Sequence, residues 1–317
     1  MRTFLSCAWS AVLSASVLAA DAMSAGAPGI PISVPVQALV DRAAKQTLER
    51  FSGIGLKADE LAVTLVDLTD PARPAQASFR GSEPVYPASV VKLFYLVAAH
   101  RWLEDGRLTD TPELRRALGD MVVESYNEAT HYVVDVLTGT TSGPELPEAE
   151  LAVWQEKRGA VNRYFRGLGY TGINADKKPW CEGPYGREVQ AIRAFKPDRN
   201  QLTTDATARI MTGIATGTAV SAKRCAEMRE LLARDIHGAV KDPEDQTHGF
   251  TGIAVKELPG SKVWSKAGWT SQTRHDAAYV ELADGRKFVL VTFTTGHADE
   301  RGIIPSVART VIAGLRR

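Results

Sequence analysis

Hydrophobic and polar positions along the chain fall into two kinds of pattern. Over residues 36–51 apolar side chains recur at helical spacing, and residues 61–68 are rich in β-branched types and read as a strand. A turn over 70–74 leads to a second expected strand at 75–80. From Ser89 to about Glu104 the residues are apolar almost all round, which predicts a buried helix stopped by Asp105-Gly106. Helical pattern returns over 108–139, with Thr111-Pro112-Glu113 as its start signal, and over 149–168, 204–216 and 219–235. Segments 142–147, 170–203 and 237–249 are rich in Gly, Pro, Asn and Asp or otherwise polar and read as loops. The second of these is long enough to suggest a functional loop. Beyond residue 261 the pattern changes to three expected antiparallel strands, 262–269, 276–282 and 287–294, with a tight hairpin at 283–286. A final helix covers 304–315.

Strands at both ends with helices between them predict one antiparallel sheet completed by the two chain ends. The fold class is α/β of the α+β type, with terminal helices flanking the sheet and an interleaved all-helical lobe. One catalytic domain is expected over 28–317, its α/β lobe at about 34–86 and 250–317 and its helical lobe at about 87–249. The cleft between the lobes is the expected place for a site.

Composition changes this picture at one end only. Met1-Arg2 followed by an apolar, small-residue run from Phe4 to Ala20 reads as a signal peptide covering 1–27, with cleavage sites at Ala20-Asp21-Ala22 and Ala25-Gly26-Ala27. A periplasmic or secreted protein without stable membrane insertion after processing is expected, an uncleaved anchor being the alternative. Net charge is +1 and there is no Lys/Arg block, so nucleic acid is not an expected partner; a small-molecule substrate and a monomer are. No CxxC or HExxH occurs and the six histidines are scattered, so neither a metal nor another cofactor is called for. After processing, Cys181 and Cys225 remain. Export favours a bridge between them, two separate thiols being the alternative.

Candidate chemistry begins inside the buried helix. Ser89 lies in its first turn and Lys92 three residues on, on the same face. Serine needs a neighbouring base to act as a nucleophile, and burial disfavours the charged form of lysine, so Lys92 can take the Ser89 proton. The helix start also offers unpaired backbone N–H groups to a developing oxyanion. The plain alternative is a capping serine and a lysine that reaches the surface.

Two further signatures follow in order: Ser125-Tyr126-Asn127 in a helical context, and Lys266-Ala267-Gly268 on a strand. With Ser89-x-x-Lys92 this set resembles the class A β-lactamase family of penicillin-recognising serine hydrolases, over about 61–315. Tyr126 stands where the family has Asp, and Ala267 where it has Thr. The resemblance implies a β-lactamase/transpeptidase-like fold and a serine hydrolase that opens β-lactam rings through a Ser89 acyl-enzyme. The runner-up is a penicillin-binding, peptidase- or esterase-like enzyme that deacylates poorly; a catalytically silent cell-wall binding module is a third reading. In the first two, Ser89 is the nucleophile and Lys92 its activator. Ser125 relays a proton to the leaving nitrogen, Asn127 holds a substrate side-chain carbonyl, and Lys266 meets the substrate carboxylate. Backbone N–H groups of Ser89 and Trp269, beside Gly268, form the oxyanion hole, and Thr270 adds a hydroxyl near the carboxylate. The family's deacylating glutamate lies on a loop that resembles Lys178-Pro179-Trp180-Cys181-Glu182-Gly183-Pro184, one position out of register and with Gly186 in place of an asparagine. Glu182 is the expected base and Glu188 the second candidate.

Overall fold

The computed structural model describes residues 29–240 and 245–316; the expected signal peptide lies outside the described residues. The chain opens with α1 (Val34–Arg50), with Pro35 in its first turn, where its missing N–H costs nothing. Strands β1 (Leu61–Asp67) and β2 (Ala75–Phe79) follow. A short 3₁₀ turn over Ala88–Val91 leads into α2 (Lys92–Glu104). The helical lobe continues with α3 (Pro112–Gly119), α4 (Asn127–Thr138), α5 (Glu148–Arg158), α6 (Ala160–Gly167), α7 (Gly186–Ala194), α8 (Thr204–Thr216) and α9 (Ala222–Leu232). Then come β3 (Ala233–Arg234), α10 (Thr251–Lys256), β4 (Lys262–Trp269), β5 (Thr273–Glu281), β6 (Lys287–Thr295) and α11 (Ile303–Leu315).

The six strands form one antiparallel sheet in the order β2-β1-β6-β5-β4-β3. Strands from both ends of the chain join one sheet, as the pattern predicts, and the first and last lie side by side in its middle, β1 against β6. Both faces are covered, so the central strands are buried at nearly every position and lose the alternation of a half-exposed sheet. One face packs on α1 and α11 through Leu39, Val40, Leu65, Leu290, Val307 and Val311. The other packs on the helical lobe, in which α2 is central: ten of its thirteen residues are buried. No helix among the described residues is long and apolar enough to cross a membrane.

Several expected elements shift. Ser89 belongs to the 3₁₀ turn, and the α-helix proper starts at Lys92. The expected single helix over 108–139 is two helices, parted by a π turn over Asp120–Glu124 and by Ser125 in the left-handed region (φ 61°). The helical run over 149–168 is divided at Gly159. The loop expected over 170–203 contains α7, and β3 extends the sheet beyond β4.

Candidate active site

Ser89 is partly exposed, while Lys92, one turn further, is fully buried. Such a burial costs several kcal/mol unless the ammonium is well bonded. Its Nζ donates to the Ser125 carbonyl (2.5 Å), Asn127 Oδ1 (2.8 Å) and Ser125 Oγ (3.2 Å), which satisfies all three N–H groups. The π turn and the left-handed Ser125 make this possible. They fold the chain between α3 and α4 so that carbonyl and hydroxyl of one residue both face Lys92. Burial is the main cause that lowers the Lys92 amine to about 7.

From the sheet side, Lys266 on β4 is likewise fully buried. Its Nζ donates to Ser125 Oγ (2.9 Å), Gln246 Oε1 (2.5 Å) and its neighbour's carbonyl, Ala267 O (2.8 Å). The Ser125 hydroxyl thus lies between two lysines from opposite lobes. Burial first, then repulsion from Lys92 and Arg234, holds Lys266 well below the ordinary lysine range. Asp276, across from Ala267 on β5, opposes this only in part. Its own carboxyl is pushed up to about 6 by burial, and it accepts a hydrogen bond from Thr251 N (3.0 Å).

β4 meets the Ser89 turn backbone to backbone. A Cβ added at Gly268 would lie 2.6 Å from Ser89 N and 2.8 Å from Val90 N, so only glycine permits this approach. The expected oxyanion donors, Ser89 N–H and Trp269 N–H, therefore come from neighbouring backbone segments. Trp269 is exposed and its ring leans on Phe250 at 5.5 Å. Thr270 sits in the β4–β5 hairpin, where its hydroxyl accepts from Gln272 N and Thr273 N and pairs with Thr273 Oγ1. That hydroxyl is committed to the turn.

The loop after Lys178 is pinned at both ends. Lys178 pairs with Asp135 on α4 (2.7 Å), and Glu188 pairs with the buried Arg158 on α5 (2.9 Å) and accepts from Ser142 (2.8 Å). Trp180 packs on His131, ring centroids 4.1 Å apart. The residue this brings to the site is Cys181: Asn127 Nδ2 donates to its sulfur at 3.2 Å. Glu182, the next residue, is exposed and makes no hydrogen bond or ion pair among the described residues. Glu188 is spent on the Arg158 cluster. Cys225 is buried in α9, its thiol towards Gly213 O, so the bridge to Cys181 that export favoured is absent and both thiols are free.

Of the expected residues, the structure thus brings Lys92, Ser125, Asn127 and Lys266 into one hydrogen-bonded group beside Ser89 and Gly268. It leaves Glu182, Glu188 and Thr270 outside that group. It adds two that the sequence reading missed, Cys181 and Gln246. The single-register offset of the Trp180 loop was the available signal for Cys181.

A helix-flanked antiparallel sheet with this interleaved helical lobe is a β-lactamase/transpeptidase fold. The chain belongs to the β-lactamase enzyme family, whose model matches residues 44–315. Solved structures agree on the fold. A β-lactamase from Sphaerobacter thermophilus DSM 20745 is 17% identical, with a TM-score of 0.64 over 87% of this chain and 98% of that one. PBP-A is 16% identical, with a TM-score of 0.62 over 90% and 99%. A β-lactamase from Xanthomonas campestris pv. campestris str. ATCC 33913 is 16% identical, with a TM-score of 0.62 over 87% and 98%. No curated protein matches the chain.

Proposed function

We propose that this protein is an exported, monomeric serine enzyme of the periplasm or extracellular space that opens β-lactam rings by forming an acyl-enzyme on Ser89. The observation that carries this reading is the Ser125 hydroxyl held between Lys92 and Lys266 beside the Ser89 turn. On substrate binding Lys92 exchanges its longest contact, to Ser125 Oγ, for the Ser89 hydroxyl. Neutral Lys92 takes the Ser89 proton as Oγ bonds to the lactam carbonyl carbon, and backbone N–H groups stabilise the oxyanion. The C–N bond then breaks, its nitrogen takes the Ser125 proton, and Ser125 recovers a proton from a lysine ammonium. Release of the acyl group by water is the slow step. In support, the loop group next to Asn127 is the Cys181 thiol, and the nearby carboxylate of Glu182 turns to solvent. This favours the penicillin-binding reading over efficient hydrolysis.

The acylation rate should follow the protonation of Lys92. Its folded-state value is lowered to about 7, so below that the amine carries a proton and cannot accept another. The rate constant for acylation by benzylpenicillin is expected to fall about tenfold per pH unit below this midpoint and to level off above it. Rapid-quench labelling across pH 5 to 9, roughly the range around that midpoint, reads this directly. A flat profile would remove Lys92 as the base.

A further inference from the structure

Gln246 lies in the polar segment before α10, and only 6% of it is exposed. Its amide is fully used. Oε1 accepts from Lys266 Nζ (2.5 Å) and Ala267 N (3.1 Å), and Nε2 donates to the carbonyls of Val122 (3.1 Å) and Val123 (2.9 Å). One side chain therefore ties the strand that carries Lys266 to the turn that carries Ser125. The two partner sets need an acceptor on one side and a donor on the other. A carboxylate would face the Val122 and Val123 carbonyls with no proton to give, and an apolar residue would take the partner from the buried Ala267 N–H and from one Lys266 N–H, while the Val122 carbonyl would keep only Arg234.

The consequence for Lys266 is geometric. Gln246 Oε1 and Ala267 O occupy two of the three Nζ positions, and the third points at Ser125 Oγ. When the amine is neutral its two N–H groups stay on those oxygens and its lone pair is aimed at the Ser125 hydroxyl. Resting on the acyl-enzyme reading above, we propose that Gln246 is a positioning residue that directs proton exchange of Lys266 to Ser125. Lys266 ammonium then gives Ser125 a proton as Ser125 passes its own to the leaving nitrogen. Lys92, which holds the proton taken from Ser89, then protonates Ser125 as Ser125 returns a proton to Lys266, and this resets the pair. Because Gln246 is neutral, it orients Lys266 without locking it as an ammonium. The other groups facing Lys266 are Lys92 from α2, Arg234 from β3 and Asp276 from β5. Asp245, adjacent to Gln246, accepts from His248 and acts on Arg234.

The first measurement needs no substrate. Lysines labelled with ¹³C at Cε are titrated by NMR in the full protein, with the Lys266 signal assigned through Lys266→Arg. Gln246→Glu is expected to raise the Lys266 midpoint by about one unit or more, and Gln246→Met to lower it. Acylation by benzylpenicillin is expected to slow at least about tenfold in Gln246→Met, with a displaced pH profile. The two variants move the midpoint in opposite directions, so either one that folds decides the matter. A midpoint within about 0.3 unit of the wild type in a folded variant would overturn the proposal. A wild type that benzylpenicillin never acylates would sink the acyl-enzyme reading while the titration still reports on Gln246.

Discussion

Replacing Lys92 with methionine is expected to slow acylation of Ser89 about a thousandfold or more, within the usual range for loss of a positioned base. The substitution keeps an unbranched side chain of similar length in a fully buried site. It removes a desolvated amine and, with it, the donor to Ser125 O and Asn127 Oδ1. Ser125 and Asn127 are only partly buried, so water can replace the lost partner. The fold should therefore survive, with a melting temperature close to that of the wild type. Stopped-flow acylation with a chromogenic cephalosporin, paired with a thermal melt, separates the effects. A variant that melts normally yet acylates at the wild-type rate would assign proton removal to another group.

The second large effect concerns release of the acyl group. Cys181→Glu places a carboxylate where the thiol now meets Asn127 Nδ2, on a loop fixed by the Lys178–Asp135 and Arg158–Glu188 pairs. A base at this point can activate water beside the ester. Deacylation is expected to quicken about a hundredfold or more. Glu182→Gln, one residue along, is expected to leave the acyl-enzyme lifetime unchanged, because that carboxylate is exposed and bonds to no residue of the group around Lys92. Decay of the covalent adduct after removal of free penicillin measures both. If Glu182→Gln prolonged the adduct and Cys181→Glu did not shorten it, the roles of the two neighbours would be the reverse of those argued here.

How far the sequence could be read followed the range of the interactions concerned. Ser89-x-x-Lys92 and Lys266-Ala267-Gly268 were legible because each is local and marked by its surroundings, the first at the entry to an apolar helix and the second on a buried strand. That one sheet is completed by the two chain ends followed from strands at both ends of the sequence, whereas the pairing of β1 with β6 is read from the structure alone. The break at Ser125 was not legible. Met121-Val122-Val123 continues the helical apolar pattern, and a left-handed serine carries no glycine or asparagine signal. Nor was α7, whose Gly186-Arg187-Glu188 start lies among turn residues. The Trp180 loop has no periodicity to fix its register, so a shift of one residue exchanged Cys181 for Glu182. Gln246 was invisible for a different reason: its four bonds go to residues at least 20 positions away, through space alone.

The most direct measurement is intact-mass spectrometry of the protein with benzylpenicillin, followed over time and with peptide mapping. One added penicillin mass is expected on the peptide holding Ser89, absent in Ser89→Ala and persisting after free drug is removed. An unmodified wild-type protein, or an adduct on any other residue, would contradict the acyl-enzyme on Ser89.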